Sequence, residues 1–213
     1  MSSERLLQLA IDVTSIDDAQ RIAEAVYPHF DIVEIGTPLI VEQGLYALEA
    51  IKEKCPNKQY LADVKIADGG YLEASSAFKR GADIVTVLGV SDDVTVGGVV
   101  KAAKESGGLV MADMLHVANT PQRGRELIER GVDIICLHTA HDLSGRGLDP
   151  LRELVQMREA VDGTLAVAGG LTIENVAEAI EKGADILVVG GGITNAEDPR
   201  RTAKQIKQIM ATV

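Results

Sequence analysis

A single α/β domain built as a closed (β/α)8 TIM barrel over residues 1–213 is the fold this chain predicts, on three observations. Apolar runs rich in Val, Ile, Leu and Ala begin near Leu6, Ile32, Tyr60, Ile84, Leu109, Asp133, Thr164 and Ile186, with helical patterns between them. Eight such β/α units is the number that closes a parallel barrel. The helix exits repeat one grammar: Arg80-Gly81-Ala82-Asp83, Arg130-Gly131-Val132-Asp133 and Lys182-Gly183-Ala184-Asp185 each pair a glycine stop with an aspartate ahead of the next strand. No G-x-G-x-x-G follows the first strand, which argues against an open dinucleotide-binding sheet.

The elements follow in order. Strand one covers residues 6–13 and carries Asp12; Ser15, with Asp18 three residues on, caps the first helix. Strand two, residues 32–36, holds Glu34 and runs into Thr37-Pro38. Strand three starts at Tyr60 and sets Asp63 and Lys65 on one face by alternation, with Asp68 just past its end before Gly69-Gly70. Strand four, residues 84–89, offers Thr86 as an inward polar group, and strand five, residues 109–114, carries Asp113. Strand six, residues 134–139, reaches His138, with His141 and Asp142 following. Strands seven and eight end in Gly169-Gly170 and Gly190-Gly191-Gly192; Thr172 and Asp198-Pro199 open the helices after them. Asp83, Asp133 and Asp185 stand at strand starts, the end of a barrel that serves stability, so they are read as structural.

Composition narrows the function. With 46% hydrophobic residues the chain can bury a full core, and its net charge of -11 gives no positive field for nucleic acid or an anionic membrane. No apolar run approaches the length of a membrane span, the first residues lack a signal-peptide pattern, and the two cysteines, Cys55 and Cys136, have no metal-ligand spacing. A cytoplasmic, reducing location is expected.

In a barrel, the polar residues at the strand C-terminal ends share one mouth. Buried charge is tolerable there only when paired or coordinated, so Asp63, Lys65 and Asp68 imply a compensated cluster. Glu34 and Asp63, on neighbouring strands, are placed to share a hard divalent cation such as magnesium, or else Asp63 pairs with Lys65; both arrangements are compatible. His138 is the histidine positioned to shuttle a proton, with His141 on the following loop as the alternative. The glycines after strands seven and eight, Gly170, Gly191 and Gly192, suit a phosphate group.

Asp63-Val64-Lys65-Ile66-Ala67-Asp68 is a D-x-K-x-x-D motif, and with it the chain resembles the orotidine 5'-monophosphate decarboxylase suprafamily along nearly its whole length. Leu9-Ala10-Ile11-Asp12, Glu34-Ile35-Gly36-Thr37-Pro38, Val85-Thr86-Val87-Leu88-Gly89 and Ala166-Val167-Ala168-Gly169-Gly170 resemble its 3-hexulose-6-phosphate synthase branch. That resemblance implies magnesium-dependent aldol addition of formaldehyde to a phosphorylated pentulose, ribulose 5-phosphate, through an enediolate, with Mn2+ as a substitute metal. It implies Glu34 and Asp63 as metal ligands, and Lys65 and His138 as the groups that move the proton and stabilise the oxyanion. Asp12, Thr37 and His141 fall among the substrate contacts, with Asp12 also orienting Lys65. Asp68 is implied to reach the neighbouring site of a homodimer with shared active sites. A sister branch decarboxylates 3-keto-L-gulonate 6-phosphate through the same intermediate; the arginines it tends to place after the strand-six histidine and at the last phosphate loop are absent from His138-Thr139-Ala140-His141-Asp142 and Gly190-Gly191-Gly192-Ile193. The synthase branch usually has H-T-G-x-D at the first of these, so Ala140 and His141 depart from its pattern too. A non-catalytic phosphosugar-binding barrel is the alternative outside enzymology.

Overall fold

The computed structural model describes residues 5–140, 142 and 150–213. Eight parallel strands close in sequence order: β1 (Leu6–Ile11), β2 (Ile32–Ile35), β3 (Gln59–Ile66), β4 (Ile84–Leu88), β5 (Leu109–Asp113), β6 (Ile134–His138), β7 (Thr164–Ala168) and β8 (Ile186–Val189). Closure is made by β1 against β8, with Leu6 opposite Ile186. The α-helices are α1 (Ile16–Val26), α2 (Thr37–Gln43), α3 (Tyr46–Lys54), α4 (Gly70–Lys79), α5 (Asp93–Ser106), α6 (Thr120–Glu129), α7 (Pro150–Ala160), α8 (Val176–Glu181), α9 (Gly191–Thr194) and α10 (Pro199–Thr212). The predicted (β/α)8 order therefore holds, with two helices instead of one after β2 and after β8.

Alternation builds two apolar layers. Leu7, Leu9 and Ile11 point outward to the helices, while Ala10, Ile32, Leu61, Met111 and Ile186 fill the barrel interior. Several strands stop earlier than the sequence suggests, β1 at Ile11 and β5 at Asp113, so the polar residues after them start the loops. Ser15 caps α1 through the Asp18 amide, and Asp198 caps α10 through the Arg201 amide, as read from the sequence. Thr172 does not cap α8. Asn175 precedes that helix, and its side chain accepts from the Thr172 N–H at 2.8 Å, closing a turn first.

The aspartates of the repeat act where the sequence put them. The Oδ2 atoms of Asp83, Asp133 and Asp185 accept the N–H groups of Tyr60, Val110 and Leu165 at 2.8–2.9 Å, each on the preceding strand. Asp31 does the same for Leu7, a fourth case that lacks the glycine signature. The repeat glycines 81, 131 and 183 have φ of 91°, 94° and 99°, which a side chain would strain.

The loop after β3 is held by close helix packing. A Cβ on Gly70 would lie 2.1 Å from the Thr95 carbonyl oxygen, so α4 begins in backbone contact with α5. Gly70→Ala is expected to cost about 1–3 kcal/mol by overpacking, read as a lower denaturant midpoint with an unchanged m-value.

Candidate active site

Strand β3 departs from regular pairing where its charges lie. Ala62 is opposite Val85 but Ile66 is opposite Val87, so β3 carries two extra residues against β4, with Asp63, Val64 and Lys65 in the bulge. Lys65 takes φ of 46°, the left-handed region, which a non-glycine residue holds only when its surroundings impose it. They do: the Lys65 N–H donates to Thr86 Oγ1 at 2.9 Å, and Thr86 Oγ1 donates to Asp63 Oδ1 at 2.8 Å. A threonine hydroxyl thus takes the place of the lost ladder bond and orients the carboxylate in the same step.

Around this bulge the charges pair. Lys65 Nζ lies 2.9 Å from Asp63 Oδ2 and 2.8 Å from Asp113 Oδ2. Asp113 Oδ2 is also 2.9 Å from His138 Nδ1, and Asp113 Oδ1 accepts the Leu115 N–H. Both aspartates are buried, while Lys65 and His138 keep about a quarter of their side chains exposed at the mouth. Burial on its own would lower the Lys65 ammonium, but Asp63 and Asp113 outweigh it and hold its pKa above the ordinary value. Burial would raise Asp113, yet the bond to His138 and the charge of Lys65 bring it below the usual aspartate range.

Glu34 lies on the adjacent strand, buried, with its Oε2 accepting from Gln8 Nε2 at 2.6 Å. Its carboxyl is raised well above the ordinary glutamate value by burial first and by the charge of Asp63 second, partly offset by Gln8. Two neighbouring carboxylates that repel one another, offering oxygen alone, fit a hard cation that keeps waters or substrate oxygens as its other ligands. Among the described residues no group of three or more His, Cys, Asp or Glu side chains converges for a metal, so a cation here would rest on this pair.

The remaining expected residues are placed as follows. Thr37 turns its hydroxyl to Asp63, 2.8 Å from Oδ2 and 2.7 Å from its carbonyl oxygen, so it supports that carboxylate. Asp12 sits just beyond β1; a Cβ on Gly36 would be 2.2 Å from its Oδ1, and one on Gly190 would be 3.5 Å from its Oδ2. Lys65 is held by Asp63, the pairing the sequence reading allowed, and also by Asp113. Gly170 has φ of 75° and open space where a side chain would be, while Gly192 packs against Leu171, where a Cβ would meet the carbonyl at 2.3 Å. Gly191 begins α9 beside it. Asp68 is exposed, accepts its own neighbour's Gly69 N–H, and borders a groove with Ser91, His116 and Arg123 instead of the Lys65 cluster. His141 lies outside the described residues.

Asp113 is the residue the sequence reading noted at a strand end without giving it a role. Its signal was positional: it shares inward parity with Met111 and ends the strand beside that of His138.

The fold and this cluster define a barrel enzyme with an ammonium, two buried carboxylates and an imidazole gathered at the C-terminal mouth. The family model described as orotidine 5'-phosphate decarboxylase / HUMPS matches residues 5–206, and the chain belongs to that family. A 3-hexulose-6-phosphate synthase of Bacillus subtilis (strain 168) is 40% identical over 205 residues, 96% of this chain and 98% of that protein. The crystal structure of 3-hexulose-6-phosphate synthase from Salmonella typhimurium aligns with a TM-score of 0.94 at 40% identity over 97% of this chain and 99% of that one. A 3-keto-L-gulonate-6-phosphate decarboxylase from Vibrio cholerae shares the fold, with a TM-score of 0.88 at 24% identity over 99% of both chains. With such relatives the chain is an enzyme of the lyase class.

The two shifts fix a pH window. The stability Asp113 contributes is present above the ordinary aspartate value of 3.8 and is lost as pH falls through its lower folded value. That of Lys65 is present below 10.5 and is lost as pH rises through its higher folded value. Asp113→Asn should therefore cost roughly 2 kcal/mol in urea unfolding near neutral pH, with the difference shrinking below about pH 4. A difference that stays constant down to about pH 2 would show that ionisation of Asp113 is not its source.

Proposed function

We propose that the chain condenses formaldehyde with ribulose 5-phosphate to give D-arabino-hex-3-ulose 6-phosphate, with His138 moving the proton and Lys65 stabilising the developing oxyanion. The observation that carries the reading is the Asp113 carboxylate bonded to both of those residues. Relatives named 3-hexulose-6-phosphate synthase at about 40% identity support it.

The chemistry follows from the atoms. Asp113 on Nδ1 fixes the His138 tautomer with its proton on that nitrogen, so Nε2 is the basic face. There it takes the C1 proton of the substrate; C1 of the resulting enediolate then bonds to the formaldehyde carbon as the C=O π pair moves to oxygen, and that alkoxide takes the proton back from Nε2. Lys65, kept charged by two carboxylates, lies where it can offset the negative charge that develops on the substrate oxygens. Magnesium, with manganese as a substitute, would be held by Glu34 and Asp63 and would polarise the substrate carbonyl and its neighbouring hydroxyl. Asp12 would take substrate hydroxyls, and the open backbone at Gly170 with the start of α9 at Gly191 and Gly192 would take the phosphate.

A homodimer with shared sites completes the reading. Asp68 faces a groove away from its own cluster, and exposed Leu72, Val90 and Val94 flank the same end of α4 and α5. The two free cysteines are buried, which suits a reducing cytoplasm, and no helix among the described residues is long and apolar enough to cross a membrane.

Ribulose 5-phosphate, formaldehyde and Mg2+ together should consume formaldehyde, and activity that survives thorough chelation would remove the metal from the mechanism. The same preparation given 3-keto-L-gulonate 6-phosphate should release little CO2; faster turnover there would assign the sister reaction. Lys65→Ala should lower kcat by about 10²–10³ with the fold intact. Without formaldehyde, solvent deuterium should enter C1 of ribulose 5-phosphate, and His138→Ala should slow that exchange by about 10²–10⁴. Mixing Asp68→Ala with Lys65→Ala protein should restore activity that neither has alone, because a mixed dimer regains one whole site.

A further inference from the structure

Gln8 is a polar side chain in the floor of a barrel whose interior is otherwise apolar at that level. It lies opposite Ile32 on β2 and Val188 on β8, is 1% exposed, and points inward because Leu7 and Leu9 on either side pack outward. Leucine or methionine would fill the position without burying an amide. The amide has one partner: Nε2 donates to Glu34 Oε2 at 2.6 Å, while its Oε1 is buried with no hydrogen-bond partner. An acceptor is left unsatisfied in the core in order that a donor reaches this one oxygen.

We propose that Gln8 is a positioning residue for the divalent cation: by engaging Glu34 Oε2 from below, it fixes the rotamer of that carboxylate and presents its other oxygen to the barrel mouth beside Asp63. This rests on the reading of Glu34 as a metal ligand. Ligating carboxylates held by a partner of this kind lose metal affinity when the partner is removed, typically by 10- to 100-fold. Gln8 has no part in proton transfer, since Lys65 and His138 are held by Asp63 and Asp113 on other strands.

The test is Mn2+ binding to the full chain, followed by the electron paramagnetic resonance signal of the free ion, in wild type, Gln8→Met, Gln8→Asn and Glu34→Ala. Methionine keeps the volume without a donor; asparagine keeps the amide one methylene short, so it holds the polarity of the site should methionine fail to fold. Either folded Gln8 variant is expected to raise the Mn2+ Kd by about 10- to 100-fold, with the Mn2+ required for half-maximal turnover rising in parallel and kcat at saturating metal largely kept. Glu34→Ala is expected to abolish binding. An unchanged Kd in the Gln8 variants while Glu34→Ala loses the ion would overturn the role of Gln8 and leave the metal reading standing. Unchanged binding in Glu34→Ala would overturn the metal reading itself, and this inference with it.

Discussion

The Lys65 ammonium lies between two buried carboxylates, and most of the site's geometry is arranged to keep it there. One bulge in β3 carries both the ammonium and Asp63; the neighbouring strand answers with Thr86, and β5 supplies the second carboxylate, which reaches on to His138. Burial alone would disfavour the charges of Lys65 and Asp113, and both keep them because a partner of opposite sign is within hydrogen-bond distance. The left-handed backbone at Lys65 is sustained by the same contacts.

A feature of that pairing bears on catalysis. Asp113 contacts an acid and a base through one oxygen atom, so any change of charge on Lys65 or His138 is felt by the other through Oδ2. Thr37 at the start of α2 and Thr86 in the middle of β4 each bond to Asp63, which leaves the carboxylate little freedom to follow its partners.

The fold was legible because its signals are local and repeated. Strand starts recur in the apolar pattern, and the glycine and aspartate at each helix exit perform separate tasks that short-range chemistry dictates: a left-handed turn, then an acceptor for the preceding strand. Asp63, Lys65, His138 and Glu34 could be placed at the mouth by parity alone. Asp113 and Gln8 acquired their roles through contacts 25, 26 and 48 residues away in sequence, and such contacts depend on rotamers that alternation does not specify. The bulge was hidden as well, since two extra residues preserve inward and outward parity and so leave no trace in the hydrophobic pattern. Thr172 misled for the opposite reason: it has good capping chemistry, and a competing turn at Asn175 came first.

Asp31, Asp83, Asp133 and Asp185 each fasten the strand before them at its starting end, far from the mouth. Alignment of the staves is thereby decided on the side of the molecule that meets no substrate. Substitutions at the opposite rim leave these four fastenings in place. The same closed scaffold is found at 24% identity in a protein named 3-keto-L-gulonate-6-phosphate decarboxylase, so the frame does not depend on most of the side chains it carries.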